Sequence, residues 1–317
     1  MKIIGTGRAH PAFTLTNAML EEILDTSNEW IVERTGISQR QIITNEKLEE
    51  LAAEAARNAL DDAGLSPSDI DLVICSNVVN EYVTPSLGCL VEGLIGASCP
   101  TYDINAACSG FVYALSTAEA YLRSGMFERI LIVCAEEPTR MVNWRDRATC
   151  VLFGDAAGAI VVTAGDDLKA IRITANPKRE VLRYERVLEP TPYITKEERD
   201  VPLFMNGREV FKTAVTSSIA DVESVLSEAG VNKDEVEYYI LHQANIRIID
   251  AIREHFRQPV EKFPRNVDRF GNTSSASIPL MLDQMSREGQ LRKGDKIVLS
   301  AFGAGFTTAA CLIEWSK

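Results

Sequence analysis

The feature that most constrains this chain is an internal repeat. Ala59–Ser76 (ALDDAGLSPSDIDLVICS) matches Val225–His242 (VLSEAGVNKDEVEYYILH) at a constant offset of 166. In both, an apolar helix pattern ends at Ala-Gly, an acidic-apolar-acidic triplet follows, and a β-rich run closes the unit. A second match at offset 164 sets Cys108-Ser-Gly-Phe against Asn272-Thr-Ser-Ser, each opening a helix that ends near a glycine, Gly125 or Gly289. One such pair is what any two helix–glycine–strand units look like. Two pairs in the same order point to a duplicated α/β unit, with halves at 1–166 and 167–317. The duplication predicts Cys108 and Asn272 at equivalent helix N-termini, facing one another across a pseudo-twofold axis.

The rest of the pattern fits an α/β layered fold. Leu48–Ala63 has helical periodicity and stops at Gly64, a residue suited to a left-handed cap. Ile70–Ser76 reads as a strand buried on both faces. Further strands are expected at Thr101–Asn105, Arg129–Ala135, Gly158–Ala164, Glu237–His242, Lys296–Ala301 and Ala309–Glu314. Asn176–Asp200, dense in mixed charge, reads as a surface excursion connecting the two halves.

Composition removes several function classes. The seven cysteines are odd in number and show no C-x-x-C spacing, and there are three histidines with no H-E-x-x-H, which argues against a disulfide framework or a metal centre. A net charge of −12, from 33 basic and 45 acidic residues, disfavours generic nucleic-acid binding. The N-terminus lacks a signal-peptide core, and no apolar run reaches the ~18 residues of a membrane helix; a cytoplasmic protein is expected. Gly5-x-Gly7 lacks the third glycine of a dinucleotide fingerprint, and Gly154–Gly158 (GDAAG) has no Gly-Lys-Ser/Thr.

Three side chains carry the chemistry. Cys108 lies between a strand and a helix among small neighbours (Ala106, Ala107, Ser109, Gly110). A helix N-terminus is expected to lower its pKa below ~8.5, and the same N–H groups can hold an oxyanion. The bland alternative is a buried structural cysteine. His242 ends the strand matching Ile70–Ser76, which sets it at the same end of the fold as Cys108; a lone histidine there is otherwise a satisfied polar residue. Asn272 alone would be an ordinary helix cap. Together Cys, His and Asn can form a thiolate, accept an acyl group and polarise a second carbonyl. The loop Phe302–Phe306 (FGAGF) supplies backbone able to approach a ligand.

These residues stand in motifs that resemble the β-ketoacyl-acyl carrier protein synthase III family: Asn28–Ile37 (NEWIVERTGI), Ala106–Phe111 (AACSGF), Asp146-Arg147 before Leu152–Asp155 (LFGD), Asn206–Lys212 (NGREVFK), Leu241–Arg247 (LHQANIR) and Gly271–Ser274 (GNTS). The resemblance runs end to end. It implies a thiolase fold of two duplicated halves in an αβαβα arrangement, a homodimer, and an enzyme initiating type II fatty acid synthesis. Cys108 would take an acyl group from acyl-CoA. Malonyl-acyl carrier protein would then lose CO₂, with His242 and Asn272 stabilising the enolate and the backbone N–H groups of Cys108 and Ala304 forming the oxyanion hole. No resident cofactor is implied, since CoA arrives as a substrate thioester. The resemblance assigns CoA contacts to Thr26, Trp30, Arg34, Thr35, Arg147, Gly207, Phe211, Ala244 and Asn245, with Trp30 and Arg147 sandwiching the adenine. It assigns the carrier protein to Lys212, Gln243 and Arg247, and Arg253 and Arg257 are further candidates to attract that acidic partner. Thr84 and Phe302 would bound the acyl pocket.

Departures from the family pattern are equally readable. Thr84 stands where some relatives carry phenylalanine, which leaves room for primers larger than acetyl. Ala304 replaces a glycine of the usual loop, and Asn176–Asp200 is unusually charged. Elongating synthases, degradative thiolases and hydroxymethylglutaryl-CoA synthases need a second histidine, a second cysteine in a Gly-rich loop, or a glutamate in the triad, none of which fits here. A specialised relative priming a secondary-metabolite or polyketide pathway is the alternative, and a non-catalytic interaction protein is disfavoured by the intact triad.

Overall fold

A computed structural model describes residues 1–185 and 202–317. The chain builds two sheets of matching topology. The first contains β1 (Lys2–Ala9), β4 (Leu72–Ser76), β5 (Thr101–Ile104), β6 (Arg129–Glu136) and β7 (Ala156–Thr163) in the order β1-β7-β6-β4-β5. The second contains β8 (Leu168–Ala175), β11 (Tyr238–Leu241), β12 (Lys296–Gly303) and β13 (Thr307–Glu314) in the order β8-β13-β12-β11. In each, the third member of the series lies antiparallel to the second and parallel to the fourth. Two short ribbons, β2 (Thr14–Thr16) with β3 (Gln39–Gln41) and β9 (Leu182–Arg183) with β10 (Phe204–Met205), lie outside the sheets.

The helices are α1 (Asn17–Glu21), α2 (Asn28–Thr35), α3 (Leu48–Ala63), α4 (Leu87–Ile95), α5 (Gly110–Ser124), α6 (Gly207–Ala229), α7 (Ile246–Phe256), α8 (Val267–Phe270) and α9 (Ser277–Arg287). Phe111, Leu115, Ile278 and Leu282 of α5 and α9 share one buried cluster with residues of both sheets. Helices α3 and α4 cover the outer face of the first sheet, and α6 and α7 that of the second. The layers therefore run αβαβα, held chiefly by apolar burial on both faces of each sheet.

The repeat is structural down to the backbone. Helix α3 ends on Gly64 at φ 67°, ψ 32°, and α6 on Gly230 at φ 64°, ψ 29°. Each glycine leads into a 3₁₀ turn closed by a capping box, Ser66 with Asp69 and Asn232 with Glu235, and then into β4 or β11. The second repeat needs a correction of register. The 3₁₀ turn Ala107–Ser109 before α5 corresponds to Ser274–Ala276 before α9, an offset of 167. Ala107 and Ser274 both hold positive φ, 48° and 52°. Asn105 Oδ1 accepts the Ala107 N–H at 3.1 Å, as Asn272 Oδ1 accepts the Ser274 N–H at 2.9 Å. The counterpart of Cys108 is thus Ser275, and that of Asn272 is Asn105. The sequence match at 164 aligned similar residue types three positions out of phase with the geometry.

Two further expectations change. Chain exchange between sheets occurs between β7 and β8, so the excursion after Asn176 lies within the second half and does not connect the halves. Its residues 186–200 fall outside the described residues. Strand β8 went unread because it is an edge strand: Leu168 and Ala170 are buried while Lys169 and Arg172 dilute the apolar signal.

Candidate active site

Cys108 sits in an elbow that only small residues permit. A Cβ on Gly110 would lie 1.9 Å from Ser76 Oγ, and one on Gly303 would lie 2.6 Å from the Cys108 nitrogen. The end of β12 is thereby pressed against the backbone of the elbow. The side chain is only partly exposed, and burial pushes its thiol up to about 12, with the negative charge of Glu136 adding to the rise. The Ser274 hydroxyl and the Cys108 N–H act in the opposite direction. The expected lowering by the helix N-terminus is therefore corrected: desolvation outweighs it, and Cys108 rests as a thiol.

His242, just past β11, is 2% exposed, and burial holds its imidazole down to about 3, hence neutral. Nδ1 lies 2.8 Å from Ser277 Oγ, at the start of α9. Ser277 Oγ also takes the Gln243 N–H at 3.4 Å. Its own proton can be donated to Nδ1, and in that tautomer the imidazole proton sits on Nε2. That atom has no partner among the described residues. The Phe302 ring packs edge-on against the imidazole at 5.4 Å. Asn272 is fixed by its own backbone, whose N–H donates to Leu152 O at 2.8 Å while its carbonyl accepts the Gly154 N–H at 3.1 Å. With Oδ1 spent on Ser274, the Nδ2 amide is left to donate to a ligand.

Cys108, His242, Asn272, Phe302 and Ala304 line one cavity of about 1050 Å³. Gly207, Phe211, Ala244 and Asn245 belong to the same wall. Asn245 also ties two elements together, donating to Arg34 O at 3.0 Å and capping α7 through the Arg247 N–H at 2.8 Å. Three exposed arginines, Arg34, Arg208 and Arg247, complete the lining. Arg208 lies inside a motif already noted but was not singled out; neither were Glu136, Ser274 and Ser277, whose significance depends on contacts across the chain.

Other assignments are corrected by burial. Gln243 is 0% exposed; its amide donates to Leu241 O at 2.8 Å and accepts the Asn266 N–H at 3.1 Å, so it braces the chain and cannot meet a carrier protein. Thr35 is buried with its hydroxyl donating to Ile31 O at 2.6 Å and accepting the Ile37 N–H at 3.0 Å, leaving nothing for CoA. Arg253 is already paired with Asp250 and Glu254, and Arg257 caps the far end of α7 from Arg247. Lys212 is exposed but stands off the cavity wall, as does exposed Thr84. Thr26 is half-buried with an unpartnered Oγ1.

Trp30 and Arg147 do face one another, but closed. The Arg147 guanidinium lies 5.0 Å from the indole centroid, tethered to the Asp25 carbonyl, and that of Arg34 lies 4.6 Å away. A planar base between indole and guanidinium needs about 7 Å, two stacking distances. Binding there requires Arg147 to swing outward.

Comparison with known proteins follows the same lines. Residues 102–176 match the family model 3-Oxoacyl-[acyl-carrier-protein (ACP)] synthase III, and residues 226–315 match its C-terminal counterpart. The chain is 43% identical over 318 residues to a beta-ketoacyl-[acyl-carrier-protein] synthase III of Aquifex aeolicus, covering 99% of both chains. It is 39% identical over 324 residues to that of Clostridium acetobutylicum, covering 100% of this chain and 99% of the relative. The crystal structure of 3-oxoacyl-[acyl-carrier-protein] synthase III from Aquifex aeolicus superposes with a TM-score of 0.92 at 42% identity, over 99% of each chain.

Proposed function

The chain belongs to the β-ketoacyl-[acyl-carrier-protein] synthase III family of thiolase-fold enzymes, and from that premise we propose how its own residues perform the reaction. It is an acyltransferase that condenses an acyl-CoA primer with malonyl-acyl carrier protein, giving β-ketoacyl-acyl carrier protein, CoA and CO₂, and so initiates fatty acid biosynthesis. The observation that carries the assignment of roles is the convergence of Cys108, His242 and Asn272 on one cavity edged by three arginines.

In this reading Cys108 attacks the acyl thioester while the backbone N–H groups of Cys108 and Ala304 receive the tetrahedral oxyanion. After CoA leaves, the malonyl thioester oxygen sits between His242 Nε2–H and Asn272 Nδ2. Each donor of this kind contributes about 3 kcal/mol as charge develops on the enolate. A neutral imidazole with its proton on Nε2 can serve that task, donating one hydrogen bond to the developing oxyanion. Arg34, Arg208 and Arg247 form a local positive rim on a chain of net charge −12. The rim serves two anionic partners in turn, CoA phosphates and then the acidic carrier protein, and Lys212 extends it. The same reading takes the protein as a cytoplasmic homodimer in which Thr84 approaches the acyl pocket of the other copy and leaves room for longer primers.

Mass spectrometry of the protein after mixing with acyl-CoA tests these roles. Cys108→Ser should form no acyl adduct. His242→Ala and Asn272→Ala should acylate but slow condensation by roughly 100-fold each; equal loss of both half-reactions in Asn272→Ala would remove the role given to that residue.

A further inference from the structure

The roles assigned so far leave one step without an agent. Cys108 rests as a partly exposed thiol, and some group must take its proton as the sulfur attacks. His242 is poorly suited, because its environment holds the imidazole near 3.

A second candidate lies at the end of β6. Glu136 is 2% exposed. Its Oε1 accepts the Ser275 hydroxyl at 2.5 Å and the Ser274 hydroxyl at 3.2 Å, and its Oε2 accepts the Val78 N–H at 3.2 Å. Ser76 Oγ donates onward to Ser275 Oγ at 3.0 Å. The titratable groups that face this carboxyl are Cys134 on its own strand, Cys75 on β4 and Cys108 on the elbow. Among the described residues no lysine, arginine or histidine pairs with it. Ser274 links the two regions, its hydroxyl donating to the Glu136 carboxylate while the residue lines the same cavity as Cys108.

We propose that Glu136 is the proton acceptor for Cys108, with the Ser274 hydroxyl carrying the proton between them. The inference rests on Cys108 being the nucleophile. As the sulfur attacks the acyl carbonyl, the Cys108 S–H bond breaks and its proton goes to Ser274 Oγ. The Ser274 proton passes at the same time to Glu136 Oε1, which becomes a neutral carboxylic acid. When the tetrahedral intermediate collapses, the carbon–sulfur bond to CoA breaks, and the departing thiolate is protonated by the reverse path. Glu136 returns to carboxylate, and the net change is one proton moved from Cys108 to CoA. One negative charge moves within the apolar surroundings and none is created, which avoids the desolvation cost of a second buried ion. Transfer in concert with attack also means that a free thiolate need not accumulate.

The environment of the carboxyl supports the task. Burial raises Glu136 to about 7, against the hydrogen bonds that hold its charged form. At neutrality it is therefore poised both to accept a proton and to return it. Burial acts oppositely on the two candidates, raising the proton affinity of the Glu136 carboxylate and lowering that of the His242 imidazole. Protonating it removes the charge that helps keep Cys108 a thiol, so the two titrations assist one another.

The test is the rate of acyl-adduct formation on Cys108, followed by time-resolved mass spectrometry with acyl-CoA between about pH 5 and pH 9. In the unmodified protein the rate should rise through an inflection near neutrality. Glu136→Gln keeps the size and much of the hydrogen bonding of the side chain; it should slow acylation at pH 7 by roughly 100-fold and erase the inflection. Ser274→Ala should do the same with the carboxyl still present, and it serves if Glu136→Gln fails to fold. Unchanged rate and inflection in Glu136→Gln would overturn the relay. A slow variant that keeps the inflection would also overturn it, since Glu136 would then only shape the elbow. Absence of any Cys108 adduct in the unmodified protein would instead sink the underlying assignment of the nucleophile.

Discussion

Gly303→Ala measures how tightly the elbow is built. The added Cβ would lie 2.6 Å from the Cys108 nitrogen, 2.9 Å from Ala107 Cβ and 3.3 Å from Ala106 O. An ordinary contact is about 3.5 Å, so the end of β12 and the elbow must part by close to 1 Å. The nearest obstacle is backbone and not the tip of a flexible side chain, so rotamer changes cannot relieve it. Overpacking of this kind costs about 1–3 kcal/mol, or several degrees in melting temperature for a chain of this size. The functional cost is separate. Parting the two segments pulls apart the Cys108 and Ala304 N–H groups proposed to hold the oxyanion, and losing one such donor slows reaction by about 100-fold or more. Acylation of Cys108 followed by mass spectrometry, with KM for acyl-CoA and thermal melting alongside, reads each effect. The expected result is slow acylation at nearly unchanged KM, with a lowered melting point. A melting loss with full acylation rate would refute the placement of the hole, and no change in either would refute the close approach itself.

The titration of His242 gives a stability prediction. The imidazole is held near 3 in the fold against 6.5 when free, so the unfolded chain binds the extra proton and stability falls as pH drops below about 6.5. His242→Gln removes that penalty, and between pH 7 and pH 5 urea denaturation should show the variant gaining roughly 2 kcal/mol relative to the parent; parallel pH profiles would contradict it. At the rim, Arg208→Ala and Arg247→Ala should weaken use of malonyl-acyl carrier protein more than acylation by a small acyl-CoA, and both effects should shrink as salt rises. Equal effects on the two substrates, or no salt dependence, would count against a shared cationic rim.

The layers of the fold were legible because each rests on local signals. Leu48–Ala63 coincides with α3, and Gly64 caps it in the left-handed conformation; periodicity and a single glycine suffice for that. Cys108, His242 and Asn272 were legible because each stands in a short motif. What could not be read was anything fixed by contacts between distant segments. Gln243 looks like a polar residue beside a site, and only the fold shows its amide consumed by Leu241 and Asn266. The strand expected at Arg129–Ala135 stops short of Glu136. In the fold the strand continues through it, because hydroxyls from Ser274 and Ser275 arrive from the other half of the chain. The thiol of Cys108 follows the same rule: a helix N-terminus is visible in the sequence, whereas desolvation is a property of everything packed around it.

The two elbows, Cys108 and Ser275 at the same place in matching turns, have a consequence for how such a catalyst can arise and be rebuilt. In a symmetric pair of identical ancestors, one gene would have specified both positions, and any gain at one would have been imposed on the other. Fusion into one chain releases that constraint. One turn is free to offer sulfur to the cavity while its twin becomes internal scaffolding that grips the carboxylate behind it. Each half then bears a different task. Engineers seeking to alter the proposed nucleophile would therefore do well to treat residues 274 and 275 as part of its design, although they lie more than half the chain away.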